Sequence, residues 1–171
     1  MSPKQRTRVG LWVRRGALLC LLLTLLPIAA AVYFQEFLIF PYYAETARKS
    51  AAEREEPLKA NVQREFVGDG ANRIEYWLQL PKGGAKGIAI VFRANLGQLI
   101  DHESLIDWAA AHGLAAAVFN YPGMGLSEGE PSERTILEAA ELVFAKLTAE
   151  HLPAGGKRWV IGYSIGTGPA G

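Results

Sequence analysis

The sequence WVIGYSIGTG, at residues 159–168, contains a G-x-S-x-G pentapeptide centred on Ser164. An apolar run precedes this serine, and glycine, threonine and proline follow it. That order is typical of a strand that turns sharply into a helix, and a serine at such a turn is exposed as a nucleophile. A phosphate-binding loop also joins a strand to a helix, but no Lys-Ser or Lys-Thr pair follows Gly166. The stretch therefore favours Ser164 as a nucleophile.

The residues around Ser164 have geometric roles in this interpretation. A serine at the turn adopts a strained backbone conformation, and side chains at Gly162 or Gly166 would collide with the neighbouring strand and helix. The turn also directs the backbone N–H of Ile165 toward the position where an oxyanion develops during acyl transfer. Pro169 falls in the first turns of the following helix, where a missing N–H costs least.

Outward from the serine, the chain alternates between apolar strands and amphipathic helices. The predicted strands lie at residues 62–67, 73–80, 87–92, 114–120 and 158–161. The first two flank a glycine-containing loop and predict an antiparallel hairpin, whereas the last three are continuous apolar runs typical of strands buried on both faces. Helices are predicted at residues 99–112, which Gly113 ends, and from the N-cap Ser132 to about residue 150. This order predicts an α/β fold with a mainly parallel sheet covered on both faces.

The N-terminal part of the chain is basic and apolar. Residues 1–35 hold five basic side chains and no acidic one, whereas acidic side chains outnumber basic ones in the rest of the chain. No charge occurs from residue 16 to residue 34, a length close to the roughly 20 residues of a membrane-spanning helix. The basic flank predicts that the N-terminal side stays cytoplasmic and that the body lies on the other side. Three alanines ending at Ala31 also fit a signal-peptidase site, so the segment is a signal anchor or a cleaved signal peptide, and Tyr33 favours the anchor.

These features divide the chain into four segments. They are a basic N-terminal tail (1–15), a transmembrane signal anchor or signal peptide (16–34), a juxtamembrane segment and linker (35–60), and an α/β domain (61–171). The composition of the linker favours a helix that Pro57 ends and whose charges face solvent. The single cysteine, Cys20, excludes an internal disulfide and a thiolate metal site. We expect no cofactor and no metal, and the lack of a basic stripe argues against nucleic acid as a partner.

Two stretches resemble the α/β-hydrolase superfamily, and within it the single-span, membrane-anchored serine hydrolases. They are FNYPGMGLSEGEPSE at residues 119–133 and VIGYSIGTGPA at residues 160–170. The resemblance covers about residues 33–171 and implies that the predicted strands are the first five of that fold. It implies Ser164 as the nucleophile of an acyl-enzyme mechanism on an ester, thioester or amide, with Ile165 giving one oxyanion N–H. The partners expected are a small-molecule or acyl substrate and the membrane.

The loop after the third predicted strand departs from the family pattern. Relatives usually read His-Gly-Asn here, whereas this chain has Arg93, Ala94 and Asn95. The resemblance implies that the backbone N–H of Asn95 is a possible second oxyanion donor, although alanine restricts the backbone more than glycine does. Arg93 either binds an anionic group of the substrate or forms a structural ion pair with an acid such as Asp101, and the structural role is favoured.

The sequence does not supply the acid and base of a catalytic triad in their usual order. In this fold an Asp or Glu and then a His follow the serine along the chain, and neither follows Ser164. The three histidines, His102, His112 and His151, precede it, and structural or surface roles are favoured for them. We therefore expect the 171-residue chain to be inactive, as the N-terminal half of a longer hydrolase domain truncated after a fifth strand whose edge is unpaired. The alternative is a non-catalytic, membrane-tethered binding or scaffold protein with the hydrolase fold.

Overall fold

Four helices, three strands and then alternating helices and strands follow one another in the computed structural model, which describes residues 3–41, 43–46, 48–95 and 98–171. The helices are α1 (Pro3–Tyr33), α2 (Gln35–Ile39), α3 (Tyr43–Thr46), α4 (Ala51–Arg54), α5 (Glu103–Ala111), α6 (Glu133–His151) and α7 (Thr167–Ala170). The strands are β1 (Gln63–Val67), β2 (Ile74–Gln79), β3 (Gly87–Phe92), β4 (Leu114–Phe119) and β5 (Lys157–Gly162). Short 3-10 turns lie at Gly70–Asn72, Leu99–His102 and Ser164–Gly166. The chain divides into two units, Met1–Ile39 and Phe40–Gly171.

The N-terminal unit contains α1 and α2. Within α1 the segment Trp12–Tyr33 has 22 residues and a mean hydropathy of 2.3, so it is long and apolar enough to cross a membrane. Its large apolar side chains are exposed, as for Leu23 at 64%. The hydroxyl of Thr24 donates to the Cys20 carbonyl at 2.8 Å, which pairs this polar group inside the helix. An apolar helix therefore covers nearly all of the span predicted from the sequence.

The second unit is built on one mixed sheet with the strand order β1-β2-β4-β3-β5. Strands β1 and β2 form the antiparallel hairpin predicted from the sequence, and β2 is also antiparallel to β4. Strand β3 is parallel to both β4 and β5. The α/β class is confirmed. The carboxyl ends of the three parallel strands lie at one edge of the sheet, which is where α/β sheets bind ligands.

Alternate positions of the strands pack on opposite faces of the sheet. One core cluster joins Ile74, Tyr76, Ile88, Ile90 and Phe119 to the α6 residues Ile136, Val143 and Leu147. The other joins Trp77, Ala89, Val91 and Val118 to the α5 residues Ile106 and Ala109. Full burial of a large apolar side chain contributes roughly 1.5–3 kcal/mol. Helices therefore cover both faces of the central strands, as the sequence predicted.

The ends of the two long helices of this unit follow their predicted caps. Ser132 is the N-cap of α6, and its Oγ accepts a hydrogen bond from Thr135 N at 3.2 Å. Gly113 follows α5 with a φ of 83°, a left-handed conformation that glycine adopts without a steric penalty. The helix predicted over residues 99–112 begins with the 3-10 turn Leu99–His102 before α5 starts.

Strand β5 is not buried on both faces as its apolar run predicted, but its exposure agrees with the expectation of an unpaired edge. Arg158, Trp159 and Val160 are exposed, with Trp159 at 48% and Val160 at 45%. In the described part of the chain, β5 pairs with β3 alone and lies at the edge of the sheet. The other apolar strands, β3 and β4, are buried because each has a neighbouring strand on both sides. An apolar run therefore does not by itself determine whether a strand is buried.

The linker before β1 is not the continuous helix that its composition favoured. After α2, the described residues of this segment form two single-turn helices, α3 and α4. Ser50 begins α4 and pairs with Glu53 in a capping box, and Glu55 ends the helix in extended backbone. A helix this short is not stable by propensity alone, so side-chain contacts with the sheet unit hold the linker in place.

Candidate active site

Ser164 lies just after β5, where the chain enters the 3-10 turn Ser164–Gly166 and then α7. Its φ of 55° is the one positive value among non-glycine residues that the structure describes. This left-handed conformation costs a residue with a Cβ about 1–2 kcal/mol, and such strain is concentrated at functional sites. The serine side chain is exposed. Residues 162–167 are called the Ser164 turn.

Backbone hydrogen bonds hold the Ser164 turn against β3. Tyr163 N donates to Phe92 O at 2.9 Å, which continues the parallel ladder beyond the last paired residues of β3 and β5. Gly166 N donates to Tyr163 O at 3.0 Å, and the Thr167 hydroxyl donates to Ser164 O at 2.7 Å. Main-chain bonds and the Thr167 side chain therefore hold the backbone on both sides of the serine.

The two glycines of the motif are required by close backbone contacts. A Cβ on Gly166 would lie 2.4 Å from Phe92 O and 2.7 Å from Arg93 O. A Cβ on Gly162 would lie 2.7 Å from the Cα of Thr167. Main-chain atoms cannot rotate away as the end of a side chain can. The collisions predicted from the motif are confirmed, with the loop after β3 on one side and the start of α7 on the other.

The two residues predicted to donate oxyanion N–H groups follow neighbouring strands. Ile165 lies inside the 3-10 turn, in the first residues of a helical segment, whose N–H groups have no partner within it. Asn95 lies in the loop after β3 and is half-buried. Because β3 and β5 are parallel and paired, Asn95 and Ser164 lie at the same carboxyl edge of the sheet.

Arg93, the first residue after β3, is only 3% exposed. Its Nη1 donates to Asn120 Oδ1 at 2.5 Å, and its carbonyl accepts from the Tyr121 hydroxyl at 2.6 Å. Burial lowers the pKa of the guanidinium, and the negative charges of Glu56 and Asp101 oppose this shift. These contacts support the structural role for Arg93, with Asn120 as a hydrogen-bond partner.

Asn120 connects Arg93 to a second buried charge, Glu75, which is 1% exposed. Glu75 Oε2 accepts hydrogen bonds from Asn120 Nδ2 and from Leu126 N, both at 2.7 Å. Its Oε1 accepts from Arg64 Nε at 2.9 Å. A buried carboxylate requires partners of this kind because desolvation is costly. Arg64, Glu75, Arg93 and Asn120 form the Glu75 network, which fixes the loops after β3 and β4.

The burial of two acids, Glu75 and Glu56, was not predicted from the sequence. Glu56 is 6% exposed and accepts from Ile100 N at 3.1 Å, so the prediction that the linker charges face solvent is wrong at this residue. Burial raises the pKa of Glu56. The signal for Glu75 is its place in an otherwise apolar strand, whereas the sequence around Glu56 gives no signal of burial.

His102 lies beside the Ser164 turn. Its side chain is 8% exposed, and its ring packs edge-on against the ring of Tyr163 with 5.8 Å between ring centres. Burial lowers the pKa of the imidazole, and the positive charge of Arg93 lowers it further. The His102 ring is therefore buried within the fold rather than at the surface, and its structural role stays a prediction.

The other histidines also make local contacts. His112 Nδ1 lies 2.7 Å from the Trp108 carbonyl at the end of α5, and His151 Nε2 lies 3.9 Å from a Glu150 carboxylate oxygen. Across the residues that the structure describes, no three His, Cys, Asp or Glu side chains are arranged to hold a metal ion.

A cavity of about 290 Å³ opens at the carboxyl edge of the sheet. The segment before β1, the loop after β3 and the loop after β4 each form part of its wall, the last two through Asn95 and Met124. Arg93 also lines it, and the carbonyl of Arg93 packs against Gly166. This space, called the edge cavity, therefore adjoins the Ser164 turn.

Comparison with known proteins gives a distant sequence relative. An uncharacterized membrane protein of Saccharomyces cerevisiae is 23% identical over 148 residues, which cover 84% of this chain and 51% of the yeast protein. No protein-family model matches the chain.

Solved structures show the same architecture. An α/β hydrolase from Vibrio vulnificus superposes with a TM-score of 0.55 at 18% identity, covering 78% of this chain and 49% of that protein. An α/β serine hydrolase homologue from Coxiella burnetii superposes with a TM-score of 0.53 at 18% identity, covering 67% of this chain and 57% of that protein. The chain thus spans about half the length of the proteins it matches. It has the α/β-hydrolase fold, with an apolar helix at its N-terminus.

Proposed function

We propose that this chain carries the nucleophile of a membrane-associated serine hydrolase that cleaves an ester, thioester or amide through an acyl-enzyme. The observation that carries the proposal is the geometry of Ser164. The residue has a φ of 55° after a strand and before a helix, between two glycines that leave no room for a Cβ. In α/β hydrolases this turn presents the nucleophile at the edge of the sheet. The fold shared with a serine hydrolase homologue supports the same role.

In the proposed reaction, Ser164 Oγ bonds to the carbonyl carbon of the substrate and passes its proton to a base. The N–H groups of Ile165 and Asn95 donate to the oxyanion, and one such donor is worth roughly 10²–10³-fold in kcat. The carbonyl re-forms as the leaving group departs with a proton, and water then hydrolyses the acyl-serine. In this fold the acid and the histidine that activate the serine follow it along the chain.

We also propose that Trp12–Tyr33 anchors the protein with its body on the non-cytoplasmic side of the membrane. The length and hydropathy of this segment suit a span, and the yeast relative is a membrane protein. Basic residues lie on the N-terminal side of the segment, and such residues favour the cytoplasmic side.

Fluorophosphonate labelling tests the nucleophile. The product of the complete gene, expressed in membranes, is treated with the probe as wild type, as Ser164→Ala and as Ser104→Ala. Ser104 is an exposed serine on α5 and provides the matched control. We expect wild type and Ser104→Ala to be labelled and Ser164→Ala to lose the label. Labelling of Ser164→Ala at the wild-type level would overturn the proposal.

The second candidate function is a non-catalytic, membrane-tethered binding or scaffold protein. It is favoured by Arg93, because a buried guanidinium hydrogen-bonded to Asn120 serves the fold at a position where hydrolases usually carry His-Gly. Hydrolysis of short p-nitrophenyl esters distinguishes the two functions. Turnover that depends on Ser164 would exclude the scaffold function.

A further inference from the structure

Charged side chains line the edge cavity, whereas a cavity for a purely apolar substrate needs none. Lys49, Arg54 and Arg93 line it, together with Glu53 and Glu56. Three basic and two acidic side chains therefore share a space of about 290 Å³. Which of these groups are already engaged by the protein decides what the cavity can bind.

Both glutamates accept hydrogen bonds from neighbouring protein groups. Glu53 Oε2 accepts from Ser50 N at 2.8 Å and from the Ser50 hydroxyl at 2.6 Å. Glu56 Oε2 accepts from Ile100 N at 3.1 Å. The first set of contacts caps α4, and the second ties the linker to the 3-10 turn before α5. The two acids therefore have structural partners within the fold.

Arg54 differs from the other two basic residues of the cavity. Lys49 forms an ion pair with Glu45, with 2.8 Å between nitrogen and oxygen, and Arg93 donates to Asn120. The Nε of Arg54 is shielded from solvent and has no hydrogen-bond partner among the residues that the structure describes. Buried donors in proteins are nearly always paired. Arg54 lines the cavity, so a rotation of its guanidinium would bring this unpaired donor to an acceptor that a ligand supplies.

We propose that Arg54 binds an anionic group of the substrate, a carboxylate or a phosphate, in the edge cavity. A guanidinium presents its N–H donors in a planar fork that matches the oxygens of either anion. Arg93 lines the cavity and its carbonyl packs against Gly166, and on this proximity we assign the anion and the reacting carbonyl to one substrate molecule. The inference rests on the proposed function only in identifying the bound anion as part of the substrate.

Calorimetric titration of the full chain in detergent micelles tests this site. The Ser164→Ala background is used so that no probe is consumed, and the probes are monomethyl glutarate, inorganic phosphate and the neutral dimethyl glutarate. We expect saturable binding of at least one anionic probe and none of dimethyl glutarate. Arg54→Gln should weaken anion binding about tenfold or more, because charge-assisted hydrogen bonds are lost. Arg134→Gln, at an arginine 79% exposed on α6, should leave it unchanged.

Equal affinities of Arg54→Gln and Arg134→Gln, or no saturable binding of either anion, would overturn the proposal. Arg54→Lys keeps the charge but not the fork, so its affinity should lie between those of wild type and Arg54→Gln. This variant keeps the test valid if Arg54→Gln unfolds. Competition by phosphatidylglycerol but not by phosphatidylcholine would identify a lipid headgroup as the source of the anion. If phosphatidylglycerol does not compete, the source is a soluble compound.

Fluorophosphonate labelling of the wild type, set beside the anion-binding results, separates this inference from the proposed function. Anion binding that depends on Arg54, without any labelling of the wild type, would reject the hydrolase and keep the site. Labelling of the wild type, without anion binding that depends on Arg54, would keep the hydrolase and reject the site.

Discussion

The loop after β4 and the turn after β5 lie at the same edge of the sheet but are held by different contacts. The loop after β4 is held by side chains, since Glu75 accepts from Asn120 and from Leu126 N at 2.7 Å. The Ser164 turn is held by the main chain, because Gly166 packs directly on carbonyl oxygens of the neighbouring loop. A polar network is destabilised when one of its hydrogen-bonding groups is changed, whereas close backbone packing is destabilised when an atom is added. Three substitutions test this difference.

The largest effect is expected from Glu75→Gln. The amide keeps the shape of the side chain but places an NH₂ group among donors and removes the charge that balances Arg64. Breaking a buried ion pair on one side costs about 3 kcal/mol, which urea unfolding followed by tryptophan fluorescence measures. The control is Glu138→Gln, whose exposed i,i+4 pair with Arg134 contributes less than about 0.5 kcal/mol. Equal losses in the two variants would show that the network does not hold the fold.

A smaller loss is expected from Gly166→Ala. Its Cβ would lie 2.4 Å from Phe92 O, and an overpacked site of this kind costs about 2 kcal/mol. The same urea experiment compares it with Gly168→Ala, where a Cβ has nothing within 4 Å. Gly168→Ala should leave the free energy of unfolding nearly unchanged. If both alanines destabilised the protein equally, the close backbone contact at Gly166 would not be the cause, since alanine favours a helix more than glycine does.

The smallest effect, and the one gain in stability, is expected from Ser164→Gly. Glycine adopts a φ of 55° without the steric cost that a Cβ carries, so this variant should be about 1 kcal/mol more stable than Ser164→Ala. The comparison with alanine separates strain from loss of the hydroxyl, because both variants lack the oxygen. Equal unfolding free energies for glycine and alanine would indicate that the turn is not strained.

The sequence predicted the parts of the molecule that local chemistry determines. The cap at Ser132, the left-handed Gly113 and the glycines around Ser164 all follow from backbone geometry within a few residues. The Glu75 network could not be predicted in the same way, because Glu75 meets Asn120 only when β2 and the loop after β4 come together in the fold. Burial of charge depends on partners that are distant in sequence.

Two further differences have the same origin. Strand β5 has the apolar composition of a central strand, but its exposure depends on which strands pair with it, and composition does not encode that. The buried position of Glu56 depends on the 3-10 turn at Leu99–His102, which lies more than forty residues further along the chain. Of the candidate site, the serine and its glycines were therefore predictable, and the charged wall of the edge cavity was not.

The hydrogen bond from Tyr163 N to Phe92 O gives the serine a stiff support. It extends the ladder of six register pairs between β3 and β5 by one further bond, so the turn is a continuation of the sheet. Moving Ser164 along the strand direction would require β5 to shift against β3, which would break the hydrogen bonds between them. In the proposed hydrolase, the Ser164 oxygen on such a support would stay in nearly one position, and the substrate carbonyl would meet it without a change in loop conformation.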